Sequence, residues 1–283
     1  MPVPALIEMI FDPQLQVGEV VLRWQTLGVT AALLAGIALA AIISRTDTWG
    51  DGRPRGALGV EDLVYVVLAA VPGAVLGGRL AHGLAFWDVY SAQPERLLDP
   101  QLGSLSLLGA VIGGSLSAAI ACRLLRAPVR GWADAAALPL LVAVAIGKLA
   151  QFLGGSGQGA FSDLPWAVAF LNAGPWISAD ADMPAHPAQL YEAAWSFLGI
   201  PLLVALAGRR GPAELFVRGR GLLFLAALAW FAAGRVLVGF TWRDERVLWW
   251  LNAEQLLALL ALVVVLMMSR AGAARYRGGV PQA

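Results

Sequence analysis

An imidazole, an amide, a phenol and a carboxylate fall close together in Ala185-His186-Pro187-Ala188-Gln189-Leu190-Tyr191-Glu192, at the head of an apolar run that extends to Ala207. Side chains of these types hold cations or polar substrates in register, and the imidazole exchanges protons near neutral pH. Pro187 lacks an N–H and has a preset φ, so it suits a first helical turn, and the run behind it is long enough to enter a bilayer. A helix opening there would place His186, Gln189 and Glu192, three residues apart, along an arc of roughly 120° on one side. Polar side chains at the start of a membrane helix mark a site rather than a lipid-facing surface.

Gln25, Arg79, His82, Lys148, Gln151 and Arg235 lie inside other apolar runs. Turning Arg79 or Arg235 to lipid would cost ~2.5 to 3.5 kcal/mol each on insertion scales, so a shared interior cavity is the cheaper arrangement. Lys148 is the only lysine of the chain. Snorkelling to the interface is its ordinary explanation, but its depth matches that of Arg79 and Arg235, which favours the cavity. Three cations against Glu192, beside the donors of a helix opening at Pro187, predict a positive pocket that wants an anion. In the outer leaflet the abundant anion is a phospholipid head group.

Only long helices can bring these groups to one level. Hydrophobic residues make up 59% of the 283 and charged residues 14%, with a mean hydropathy of +0.70, which leaves too little polar surface for a water-soluble globule. Seven runs, approximately 21–43, 63–86, 105–124, 132–153, 189–207, 222–240 and 247–268, each approach the ~20 residues that cross the hydrocarbon core as a helix. The expected fold is an all-α integral membrane protein. Residues 1–283 form a single membrane domain, a seven-transmembrane-helix bundle with an outer loop at 154–187.

Arginines set the orientation. Arg45, Arg53 and Arg55 follow the first run, Arg123, Arg126 and Arg130 the third, Arg209, Arg210, Arg218 and Arg220 the fifth, and Arg270, Arg275 and Arg277 the last. The connections between are nearly free of cations, so the N-terminus is expected outside and the C-terminus cytoplasmic, as an odd number of spans requires. Arg79, His82, Lys148, Gln151 and Arg235 then occupy the outer halves of their spans, level with Gln25 and Glu192. Trp24, Trp87, Trp166, Trp176, Trp242, Trp249 and Trp250 read as an interfacial belt near the same surface. No basic region precedes the first run, so it is expected to be retained rather than cleaved. The single cysteine, Cys122, cannot form an internal disulfide and reads as a small helix residue. Arg243 and Arg246 read as solvated at the outer boundary, with contact to head groups as the lesser alternative.

In this order and topology the motifs resemble the prolipoprotein diacylglyceryl transferase family. His186-Pro187-Ala188-Gln189-Leu190-Tyr191-Glu192 is similar to its His-Pro-x-Gln-Leu-Tyr-Glu, and Gly77-Gly78-Arg79 to a Gly-Gly-Arg on its second helix. Gly147-Lys148-Leu149-Ala150-Gln151-Phe152 resembles its Gly-Arg-Leu-Gly-Asn-Phe, Ser162-Asp163-Leu164-Pro165-Trp166-Ala167 resembles an outer loop of some relatives, and Arg235 falls on the arginine of its sixth helix. The chain departs from the pattern at Leu108, where the family has a histidine, and at Gly239, where it has a glutamate. Lys148, Gln151 and Gln25 replace an arginine, an asparagine and a tyrosine. Lysine keeps the charge but loses the planar bidentate fork.

The resemblance implies a bacterial plasma (inner) membrane enzyme that moves diacylglycerol from phosphatidylglycerol to the lipobox cysteine in the signal peptide of a preprolipoprotein, releasing glycerol phosphate. Its partners would be that lipid, that peptide and the surrounding membrane lipids, with no nucleic acid, metal or cofactor. The expected catalytic residues are His186, Arg235, Glu192 and Tyr191; Arg79, Lys148, Gln151, Gln189, His82 and Gln25 are expected to bind substrate. Arg79, Lys148 and Arg235 could hold the phosphate as it departs. The base is open between His186 and His82, which stands where a tyrosine is common and reads equally well as an interfacial ring turned to water. The loop from Leu153 to Ala185 is expected to fold over the cavity as a lid. The competing reading, from another class, is a non-catalytic phospholipid-binding or accessory membrane protein of the same descent. A transporter ranks third, because the inner halves of the runs are almost wholly apolar.

Overall fold

A computed structural model describes residues 7–45, 60–98, 105–157, 159–171, 180, 182–208 and 221–278. Its frame is α1 (Trp24–Arg45), α2 (Val60–Ala85), α4 (Leu107–Leu124), α5 (Val129–Leu153), α6 (Ala188–Gly208), α7 (Leu222–Val238) and α8 (Ala253–Gly278), with a short α3 (Trp87–Ala92) between α2 and α4. Among the described residues seven helices are long and apolar enough to cross a membrane. Arg53, Arg55, Arg209, Arg210, Arg218, Arg220 and Trp176 lie outside the described residues.

Two ends of the expected spans are corrected. Val21 to Arg23 belong to strand β3 (Val20–Arg23), paired antiparallel with β2 (Gln14–Val17), and Val247 to Asn252 to a hairpin. Gly18, at φ 64°, makes the first two-residue turn. In the second, Trp249 takes φ 53° between β5 (Arg246–Leu248) and β6 (Leu251–Asn252). Short apolar runs do not distinguish strand from helix by hydrophobicity alone. A further pairing is parallel, between β1 (Ile7–Met9) and β4 (Val168–Phe170). The strands thus decorate the helix ends that carry the polar residues.

The long helix α5 is the centre of the bundle, against α1, α6 and α7. Leu108, Ala137, Leu141, Leu203, Leu223 and Phe231 form its main core. The N-terminus of α7 is capped from α5: Asp134, 2% exposed, accepts the backbone N–H of Gly221 at 2.9 Å and of Phe224 at 3.1 Å. Helix α2 packs mainly on α4, through glycines. A Cβ on Gly77 would strike the backbone of Gly109 and Gly113, so the two backbones are in direct contact, as small residues permit between membrane helices. The pair touches the remaining helices sparsely. Between it and α1 and α5 lies an apolar cavity of about 390 Å³, lined by Ile37, Val66, Ala74, Val111, Trp132 and Ala143 among others.

Candidate functional site

Glu192 lies one turn into α6 and is 4% exposed. Its Oε1 accepts a hydrogen bond from the guanidinium of Arg235 on α7 and another, of 2.8 Å, from the Trp242 indole N–H. Its Oε2 is 2.7 Å from the ammonium of Lys148 on α5. Lys148 also donates to Gln151 Oε1 at 2.9 Å and lies 5.0 Å from the centroid of the Trp242 ring, a cation–π contact. Arg235 Nη2 in turn donates to Glu254 Oε2 at 3.1 Å, from the first turn of α8. Four helices therefore meet in one chain of ions, Lys148, Glu192, Arg235 and Glu254.

Glu254 corrects the expected charge. With it, two cations stand against two carboxylates, and the buried centre is balanced rather than positive. Trp242 is corrected too: at 6% exposure it is folded into the site by the 3-10 turn Gly239–Thr241, whereas Trp24, Trp87, Trp166, Trp249 and Trp250 are exposed as a belt would require. Asp244 stands nearby, and burial raises its carboxyl from the ordinary value against the opposing pull of Arg235.

The start of α8 explains why Glu254 points inward. Asn252 Oδ1 accepts the Gln255 N–H at 2.8 Å, and Gln255 Oε1 accepts the Asn252 N–H at 2.9 Å, a reciprocal capping box. Gln255 also donates to Val236 O at 2.9 Å, which ties α8 to α7. The signal Asn252-Ala253-Glu254-Gln255 was available in the sequence. It lies inside the apolar run 247–268, whose hydrophobicity masks it.

His186 is not on the expected arc. Helix α6 starts at Ala188, with the Pro187 carbonyl accepting from Leu190 and Tyr191, so His186 precedes the helix and its backbone N–H is tied to Ala160 O at 3.0 Å. Its Nδ1 is 3.4 Å from the Tyr191 hydroxyl, which accepts from the Trp166 indole at 2.6 Å. These three side chains join the loop to α6. Gln189, 3% exposed, donates to the carbonyls of Gly157 and Ser156, holding the same loop from another side. The loop is also stitched to the turn after α7, where Ala160 N–H donates to Thr241 O at 2.8 Å.

His82 is half-buried, its ring 4.6 Å from Phe86 and edge-on to Tyr90 at 5.8 Å, yet within electrostatic reach of Arg79 and Glu254. Gln25 packs against Gly154 at the end of α5, its carbonyl oxygen buried without a partner among the described residues. Leu108 is fully buried in the core. Arg243 is exposed and paired with Asp180, and Arg246 donates to Trp250 O at 2.9 Å.

Fold and site together define a polytopic membrane protein with an enclosed ionic centre near one face. The sequence model of the prolipoprotein diacylglyceryl transferases matches residues 13–270, and the chain belongs to that family of transferases. Proteins named phosphatidylglycerol–prolipoprotein diacylglyceryl transferase are similar to it throughout. That of Rhizobium meliloti is 31% identical over 97% of this chain and 95% of its own length. The Methylocella silvestris protein is 31% identical over 84% and 96%, and the Trichormus variabilis protein 29% over 93% and 87%.

Proposed function

We propose that this protein transfers the diacylglyceryl group of phosphatidylglycerol to the lipobox cysteine of a preprolipoprotein signal peptide, in the bacterial plasma membrane. Residues 1–283 act as one membrane domain, with the N-terminus and the ionic centre on the outer side. The thiolate sulfur attacks the glycerol carbon that carries the phosphate, the carbon–oxygen bond breaks, and glycerol phosphate leaves with the electron pair. The thiol proton goes to a base, for which His186 and His82 are the two histidines.

One observation carries this reading: along their helices, Lys148 and Arg79 lie beyond the outer end of an apolar cavity. Ala143 on α5 and Ala74 on α2 line the cavity, and Lys148 and Arg79 follow them by five residues, about 7.5 Å along each helix. Inward along α5 the lining continues to Val129, a further ~21 Å, more than the ~15 Å of one leaflet's hydrocarbon. A phospholipid with its phosphate at the cations has room for acyl chains below. Arg235 keeps its Nε–H for such a phosphate, a buried donor without a partner among the described residues. Gln151 and Gln189 hold Lys148 and the loop, Tyr191 orients His186, and Gln25 packs from the first turn of α1 against Gly154.

Leu108 in the core, where the family's histidine is missing, is what supports a lipid-binding protein without turnover. Transfer of labelled diacylglycerol from phosphatidylglycerol to a lipobox peptide by purified protein separates the two. Transfer that is lost in His186→Ala and in Arg235→Ala supports the enzyme. Phosphatidylglycerol binding with no transfer by intact protein refutes it.

A further inference from the structure

We infer that Glu254 is an exchangeable counter-ion, a positioning residue that holds Arg235 in the empty site and yields its place to the phosphodiester of the lipid substrate. The inference rests on the proposed reading for the identity of that anion.

The two carboxylates on Arg235 are unlike. Glu192 is 4% exposed, accepts hydrogen bonds at Oε1 from Arg235 and Trp242 and is ion-paired at Oε2 with Lys148, which leaves its charge nowhere better to go. Glu254 is 17% exposed, and its side chain has one partner among the described residues, Arg235 Nη2 at 3.1 Å. Releasing it forfeits a single charge-assisted hydrogen bond, which a phosphate oxygen replaces in kind. The released carboxylate stays in the first turn of α8, where the helix N-terminus favours a negative charge, and within electrostatic reach of His82.

Geometry also explains why the carboxylate comes from α8. The family pattern places a glutamate at the position of Gly239, four residues after Arg235. Here a Cβ on Gly239 would lie 2.5 Å from the Gln255 side chain, which is itself fully buried and locked in the capping box. No side chain fits at Gly239 while Gln255 keeps that place, and Glu254, its neighbour, reaches Arg235 instead. Arg235 thereby retains two carboxylates, one permanent and one displaceable, with Nε–H still unpartnered among the described residues.

A merely structural carboxylate and an exchangeable one predict opposite signs. Full-length wild type, Glu254→Gln and Glu254→Ala, reconstituted in phosphatidylcholine nanodiscs, would be titrated with fluorescent phosphatidylglycerol, with thermal unfolding confirming that each is folded. Exchange predicts that both variants bind phosphatidylglycerol roughly tenfold more tightly, the worth of one hydrogen bond to a charged group. Where transfer is measurable, KM for the lipid falls with it while kcat does not rise. Unchanged or weaker binding in both folded variants overturns the inference, as does wild type and variants alike showing no preference for phosphatidylglycerol over phosphatidylcholine. Tighter binding by the variants of a wild type that transfers nothing would sink the proposed activity and leave the counter-ion standing.

Discussion

The indoles of Trp195 on α6 and Trp230 on α7 lie stacked, centroids 4.4 Å apart and planes at 14°, and each ring N–H donates at 2.8 Å to the other residue's carbonyl. Gly234 and Gly199 make room for the rings. This clasp sits about one turn below the contact of Glu192 with Arg235 and fixes the separation of the two helices. Trp230→Phe keeps the ring and removes one hydrogen bond, with an expected loss of ~1 kcal/mol. Trp230→Ala removes the packing as well and is expected to cost ~3 to 5 kcal/mol. Thermal unfolding in detergent reads both, and equal midpoints for the two would contradict the clasp.

Glu192→Gln leaves Lys148 and Arg235 buried without their shared carboxylate. Breaking a buried ion pair from one side costs ~3 to 5 kcal/mol, so a large drop in unfolding midpoint is expected. Lys148→Gln with Glu192→Gln removes one charge of each sign and should recover part of that loss. An additive double variant would show that the two groups are not coupled.

Asp134→Ala strips the cap from α7 at Gly221 and Phe224 without touching the ionic centre. A lost N-cap costs ~0.5 to 2 kcal/mol. Stability is expected to fall by that order while KM for lipid stays the same. A shift in KM larger than the shift in stability would place Asp134 in the site rather than under it.

Gly113→Ala pushes a Cβ into Gly77 and the Gly73 carbonyl, where α2 and α4 touch. Overpacking of this kind costs ~1 to 3 kcal/mol. Because Arg79 and His82 ride on α2, lipid binding should weaken as well. Gly147→Ala, at a position with nothing within 4 Å of an added Cβ, serves as the control and should leave stability close to wild type.

Asp244 contributes a pH dependence of stability. Its carboxyl is raised by burial above its ordinary value of 3.8, so the folded protein holds this proton to higher pH than the unfolded chain does. The favourable term is present below the ordinary value and is lost as pH rises through the raised one. Asp244→Asn cannot titrate, so its stability relative to wild type should increase across that window. A relative stability that is flat or falling there would contradict the assignment.

Hydropathy and spacing are properties of neighbouring residues, so the chain alone determined seven spans, the motif from His186 to Glu192 and the candidate cations. It also contains the capping box at Asn252, but a hydrophobic run carries no mark of where its helix starts. Only the tertiary structure decided that Trp242 turns inward, that His186 stands before α6 rather than on it, and that Glu254 balances Arg235. Those outcomes depend on which helices pack together and at what height. A buried charge takes whatever partner that packing brings within reach, and residues 192, 235 and 254 are too far apart in the chain for any local pattern to pair them.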